Sequence, residues 1–217
     1  MTWSADRAKA LELFPCLRGI ERELEIYEEL LRRWQGKINL VAPNTLNEIW
    51  MRHFADSAQA VEAAPEARVW LDIGSGAGFP GLVTALLLKD RREAKVHLIE
   101  SDQRKAAFMR AVSRETGAPA EIHVGRIEAE LPRLSGRIDA VSARALAPLD
   151  RLLALAAGPL KNGAIGVFLK GEDWREELTA AERIGNFSFH TNQSRTHPRA
   201  RLIVVEHSAR GKSDRTD

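Results

Sequence analysis

Apolar side chains at Ile20, Leu24, Tyr27, Leu31 and Trp34 recur at spacings of four and three, which puts them on one face of a helix. Gly36 and Pro43 punctuate its end. Thr45, with Glu48 three residues on, has the form of a capping box. Trp50, Phe54, Ala58 and Val61 then mark a second amphipathic helix that stops before Pro65. The chain therefore opens with a helical stretch.

From Val69 the period changes. Residues 69–73, 96–99, 122–124, 138–142 and 164–169 are short apolar strand candidates. Between them lie helical patterns: an apolar run at 82–88, then 103–116, which ends at Gly117, and 149–157. Strands alternating with helices predict a mostly parallel sheet with crossover helices, an α/β Rossmann-like fold. After a helix at 174–184, residues 186–191 and 201–206 are two further strands, close in sequence and joined by polar loop chemistry. They predict an antiparallel hairpin at the C-terminal edge. The expected organisation is an N-terminal helical extension over 1–67, the α/β unit over 68–207 and a mobile polar tail over 208–217.

Composition narrows the class. With 217 residues, 44% hydrophobic and 29% charged, the chain is neither disordered nor fibrous. A net charge of +2 excludes a polycation but leaves room for a local basic patch. The basic excess falls at the C-terminal end, around Arg195, His197, Arg199 and Arg201. A single cysteine, Cys16, excludes a disulfide framework and a cysteine-based zinc cluster. No apolar run reaches the ~18 residues of a membrane span, and the N-terminus lacks a secretory pattern. These features predict a cytoplasmic protein with no membrane partner. The histidines are scattered along the sequence, so no metal site is expected.

The chemistry concentrates in Asp72-Ile-Gly74-Ser75-Gly76-Ala-Gly78-Phe79-Pro-Gly81, between a strand and a helix. Read as G-x-G-x-x-G from Gly76, with Glu100 downstream at the end of the second strand, it fits a dinucleotide loop. Read as an acid followed by G-x-G-x-G, it fits S-adenosyl-L-methionine (AdoMet). Asp72 favours AdoMet: a carboxylate at the loop mouth repels a pyrophosphate and attracts a sulfonium or ammonium. In both readings Glu100 accepts hydrogen bonds from ribose hydroxyls. An NAD-dependent oxidoreductase remains the alternative.

Beyond the loop, the sequence carries Trp34-Gln-Gly-Lys-Ile-Asn39-Leu40, Arg52-His53-Phe-Ala-Asp56-Ser57, Ala143-Arg144-Ala145 and Lys170-Gly171. Together with the glycine loop ending in Phe-Pro-Gly, these resemble the RsmG family, formerly called GidB, over about residues 20–206. The resemblance implies a class I methyltransferase fold with a seven-stranded sheet. It also implies transfer of a methyl group from AdoMet to N7 of a guanine, position 527 in the usual numbering, in 16S ribosomal RNA. On that resemblance Gly74 and Phe79 lie in the AdoMet loop, Glu100 is the acid of the second strand, and Ile127 and Glu128 line the adenine pocket. Arg144 stands at the mouth shared by cofactor and substrate. Gln35 departs from the family pattern, which has asparagine after the tryptophan.

Guanine N7 already carries a lone pair, so no general base is needed and no catalytic dyad is expected. Arg144 and His53 are read as positioning residues. Arg52, His53 and Asp56 share a helical face by their spacing. Candidate RNA contacts are Arg52, Lys170, Arg199 and Arg201, the partner being 16S RNA or the small ribosomal subunit. Trp34, Trp50 and Trp70 are read as core. A non-catalytic RNA-binding module on the same fold is the third reading.

Overall fold

The computed structural model describes residues 3–208. The expected polar tail therefore lies outside the described residues except for Ser208.

Seven strands form one sheet: β1 (Val69–Ile73), β2 (Lys95–Glu100), β3 (Ala120–Val124), β4 (Ala140–Arg144), β5 (Ile165–Lys170), β6 (Phe187–Gln193) and β7 (Arg201–His207). Their order is β3-β2-β1-β4-β5-β7-β6. All pairs are parallel except β5·β7 and β6·β7. The helices are α1 (Trp3–Leu13), α2 (Glu21–Gln35), α3 (Asp56–Ala63), α4 (Gly81–Leu88), α5 (Gln103–Thr116), α6 (Ile127–Glu130), α7 (Leu149–Leu155), α8 (Ala157–Lys161) and α9 (Trp174–Glu182).

The strand period of two divides the core. In β1, Trp70 points into one apolar cluster, while Leu71 and Ile73 point into the other. The first cluster takes in Leu24, Tyr27 and Leu31 of α2, Phe54, and Phe108 of α5. The N-terminal helices and one face of the sheet thus share a single core. Trp50 and Trp70 are buried, and Trp34 packs edge-on against Phe108. The second cluster holds Val141, Leu149, Leu152 and Phe168 on the opposite face.

Helix ends follow local chemistry. Asp102 precedes α5 and its carboxylate accepts from the N–H groups of Arg104 and Lys105. Gly117 closes α5 with φ +70°. The capping box expected at Thr45 is not formed. Pro43–Glu48 is a 3-10 turn, and the Thr45 hydroxyl donates backward to the Ala42 carbonyl instead of capping a helix. The helix expected from Trp50 begins as one wide π turn, Trp50–Ala55, before continuing as α3. Strand β4 runs two residues later than its apolar pattern suggests. Asp139 just before it is fixed by accepting from the N–H groups of Arg68 and Val69. At Gln35 the side chain accepts from the Leu40 and Val41 N–H groups and donates to the Val41 carbonyl, which staples the loop after α2.

Candidate active site

The strand order reverses between β1 and β4, and parallel sheets leave a crevice at the carboxyl ends of their strands there. A cleft of about 1150 Å³ opens at this place. Its floor is the glycine loop after β1, its walls are the ends of β2, β4 and β5, and its rim is the π turn with the β6–β7 hairpin loop.

The loop is held from several sides. Ser75 N–H donates to the Ile99 carbonyl, and its hydroxyl donates to the Asp72 carbonyl. Gly76 N–H donates to Glu100 Oε2 at 2.8 Å. Gly74 has φ +65°, where a side chain would be strained, and a Cβ there would lie 2.4 Å from a Leu146 methyl and displace it. Gly78 packs inward against Leu82 and the Tyr27 hydroxyl. Tyr27 donates to the Ala77 carbonyl at 2.5 Å and stacks on Phe79, centroids 5.2 Å apart and planes at 6°.

Asp72 does not stand where its sequence position suggested. It is fully buried under the loop and is not part of the cleft wall. Its Oδ1 accepts from the Ser142 hydroxyl at 2.7 Å, and its Oδ2 accepts from Gly81 N–H at the start of α4. Burial raises its pKa from 3.8 to about 6 against these hydrogen bonds, which pull it down. The carboxylate therefore cannot touch the sulfonium or ammonium of a ligand.

Glu100, also nearly buried, faces the cleft. Its Oε1 accepts from Asp102 N–H and its Oε2 from Gly76 N–H. One lone pair remains on each oxygen, which is the pair of acceptors that a ribose diol requires. Ile127 and Glu128 line the far wall, where Glu128 pairs with Arg151 at 2.9 Å.

Arg144 leaves the end of β4 into a network with the π turn. Its Nη1 donates to the Arg52 carbonyl at 2.9 Å and to Asp56 Oδ2 at 3.1 Å, and its Nη2 donates to His53 Nδ1 at 2.8 Å. Its guanidinium lies 5.0 Å from the Phe79 ring centroid. His53 stacks on Phe79 as well, 4.9 Å between centroids. Burial, with Arg144 and Arg52 adding to it, lowers the His53 pKa from 6.5 to about 2. The next residue, Ala145, has φ +53°, a turn that L residues rarely take.

A family model described as rRNA small subunit methyltransferase G matches residues 20–201. A ribosomal RNA small subunit methyltransferase G of Parvibaculum lavamentivorans is 49% identical over 199 residues, covering 89% of this chain and 88% of the relative. One from Bradyrhizobium sp. (strain ORS 278) is 45% identical over 203 residues, covering 94% and 91%. The chain belongs to the rRNA small subunit methyltransferase G family.

The fold agrees with this family. The O-methyltransferase TomG of Streptomyces achromogenes, solved in complex with SAM, superposes with TM-score 0.59 at 17% identity, covering 86% of this chain and 90% of TomG. An O-methyltransferase of Bacillus cereus in complex with SAH gives 0.57 at 14% identity, covering 83% and 90%.

The remaining candidates separate. Lys170 is no solvated strand-end lysine: it is buried, with Nζ 2.5 Å from Glu177 Oε2 and donating to the Ala147 carbonyl. Arg201 lines the cleft, lies over Trp174 and donates to the Pro198 and Ala200 carbonyls. Arg199 is exposed, outside the wall, paired with Glu172 at 2.7 Å. Arg52 lines the cleft, and its side chain forms no ion pair among the described residues. Arg144 pairs with Asp56 at 3.1 Å.

Sequence reasoning missed Ser142, Arg126 and Thr196, and read Thr45 as a helix cap where it contacts His53 Nε2 at 2.8 Å. Ser142 holds Asp72, Arg126 lines the cleft, and Thr196 donates to Asp56 Oδ1 at 2.6 Å from the hairpin loop. The parallel register of β1 and β4 pairs Asp72 with Ser142, a relation that a one-dimensional scan does not carry.

Proposed function

We propose that this protein transfers the methyl group of AdoMet to N7 of a guanine, position 527 in the usual numbering, in the 16S RNA of the small ribosomal subunit. Membership of the rRNA small subunit methyltransferase G family makes the chain an AdoMet-dependent rRNA methyltransferase. The 16S partner, the cytoplasmic location and the residue roles are our reading.

AdoMet supplies an electrophilic methyl on a positively charged sulfur. The loop at Gly74, Ser75 and Gly76 would lie against it, Glu100 would take the ribose hydroxyls, and Ile127 and Glu128 would border the adenine. Guanine N7 would bond the methyl carbon with a lone pair it already has while the methyl–sulfur bond breaks and its electron pair stays on sulfur as a neutral thioether, so no residue needs to remove a proton first. The residues at the mouth fit that demand. His53 is neutral, and both its ring nitrogens are engaged. Lys170 is committed to Glu177. Arg144 then acts by position: anchored at three points, it fixes the mouth where the base enters. Orientation alone contributes on the order of 7–11 kcal/mol in favourable systems.

One observation carries the reading: the glycine loop, Glu100 and the anchored Arg144 line a single cleft. The test is to map N7-methylguanine in 16S RNA from cells with and without the protein. Loss of the modification at one guanine on deletion, and its return with the wild-type chain, is the expected result. An unchanged map overturns the proposal. Calorimetry against AdoMet and NAD distinguishes an oxidoreductase. A methyl-transfer assay on small subunits distinguishes a non-catalytic RNA-binding module.

A further inference from the structure

A second cluster of chemistry lies away from the cleft, on strands β2 and β3. These strands are parallel, with His97 beside Glu121 and Ile99 beside His123. Side-by-side residues share a face, and so do residues two apart along a strand. His97, Glu121 and His123 therefore converge on one face. Among the described residues they are the one group of three His, Cys, Asp or Glu side chains whose donor atoms all lie within 4.8 Å of one another.

The distances are those of a coordination shell. His97 Nδ1 is 3.1 Å from His123 Nε2 and 3.3 Å from Glu121 Oε2. Zinc bonds of about 2.0–2.1 Å in a tetrahedron place neighbouring ligand atoms roughly 3.3–3.4 Å apart. Lys95 Nζ holds the other carboxylate oxygen, Oε1, at 2.6 Å, which orients Oε2 toward the imidazoles. The imidazoles themselves are held: His97 is buried and His123 half-buried, while Glu121 is exposed and leaves an entry path from solvent. Without an ion, a proton on His97 Nδ1 would be shared between two acceptors, His123 Nε2 and Glu121 Oε2.

We propose that His97, Glu121 and His123 bind one divalent transition-metal ion of the zinc class, with a fourth position open to water. Two imidazoles and one carboxylate are a borderline donor set that suits zinc over magnesium or calcium. The ion would tie the edge strand β3 to β2. Scattered histidines argued against a metal from sequence; the pair is brought together by strand register, across twenty-six residues. This site stands independently of the methyltransferase reading, since none of its three ligands lines the cleft.

The test uses the full chain without a histidine tag, stripped with chelator and titrated calorimetrically with zinc chloride. Thermal melting with and without zinc gives a second readout. Wild type is expected to bind one zinc per chain at micromolar or tighter Kd and to melt at a higher temperature with zinc. His123→Ala and Glu121→Gln should each weaken binding by about tenfold or more, and circular dichroism checks that they fold. Cys16→Ser, at the exposed lone thiol, should bind as wild type does. No stoichiometric binding by wild type overturns the site. Equal binding by His123→Ala overturns it too, as does loss of binding confined to Cys16→Ser.

Discussion

Arg144 Nη2 lies 2.8 Å from His53 Nδ1, and that contact fixes the histidine's tautomer. A guanidinium only donates, so Nδ1 must accept and carries no proton. The proton then sits on Nε2, 2.8 Å from Thr45 Oγ1, and the Thr45 hydroxyl passes its own hydrogen to the Ala42 carbonyl. A directed chain thus runs from the end of β4 through the π turn into the loop before it. It joins the N-terminal helices to the edge of the sheet that borders the cleft.

Arg144→Ala should lower methylation on the order of 100-fold, the scale on which small misplacements of reacting groups act. Arg144→Lys should not restore it, because an ammonium cannot serve Asp56, His53 and the Arg52 carbonyl with one planar fork. The check is methyl transfer to small subunits, with circular dichroism showing that both variants fold. Wild-type turnover in Arg144→Ala contradicts the role.

Tyr27→Phe removes the hydroxyl that donates to the buried Ala77 carbonyl while keeping the stack on Phe79. The lost hydrogen bond should cost about 1 kcal/mol in urea unfolding. Because Ala77 belongs to the loop, AdoMet affinity in calorimetry should fall in parallel. Unchanged affinity alongside reduced stability would detach the tyrosine from the cofactor site.

How far the sequence reached depends on how local each cause is. The glycine loop, Gly117 as a helix end and the strand–helix alternation were legible because their causes lie within a few residues. Gly74 needs its backbone conformation whatever surrounds it. The roles of Asp72 and Lys170 were not legible. Whether a carboxylate faces a ligand or a serine on the next strand is decided by register, and Asp72 meets Ser142 seventy positions away. Lys170 finds Glu177 only because α9 folds back on the end of β5. The π turn at Trp50–Ala55 likewise has no signature in an apolar spacing that fits an α-helix almost as well.

Lys170 and Arg199 should differ in kind. Lys170→Ala breaks a buried pair and leaves Glu177 with only the Leu149 N–H as partner, so stability should fall by about 1.5–3 kcal/mol. Arg199 sits on an exposed pair with Glu172 and can exchange that partner for phosphate. Arg199→Ala should leave stability nearly unchanged and reduce the slope of log affinity for RNA against log salt by about 1. Filter binding of 16S RNA across a salt series measures it. An unchanged slope removes Arg199 from the interface.

His53 and Asp72 should give opposite pH dependences of stability. His53 has its folded pKa lowered from 6.5 to about 2 by burial and by the Arg144 and Arg52 charges. Below pH 6.5 the unfolded chain binds a proton at this imidazole and the folded chain does not. Acidification there withdraws stability at about 1.4 kcal/mol per pH unit. Asp72 has its folded pKa raised from 3.8 to about 6 by burial. Between those values the folded chain holds a proton that the unfolded chain has lost, so it is a rise in pH that withdraws stability. In the window from 3.8 to about 6 the two contributions oppose each other in the wild type. Removing either one should expose the other. Relative to wild type, His53→Gln should gain stability as pH falls from 6.5, and Asp72→Asn should gain as pH rises toward 6. Urea unfolding at closely spaced pH values measures both differences. Parallel curves for all three proteins would mean that neither group titrates differently in the folded chain.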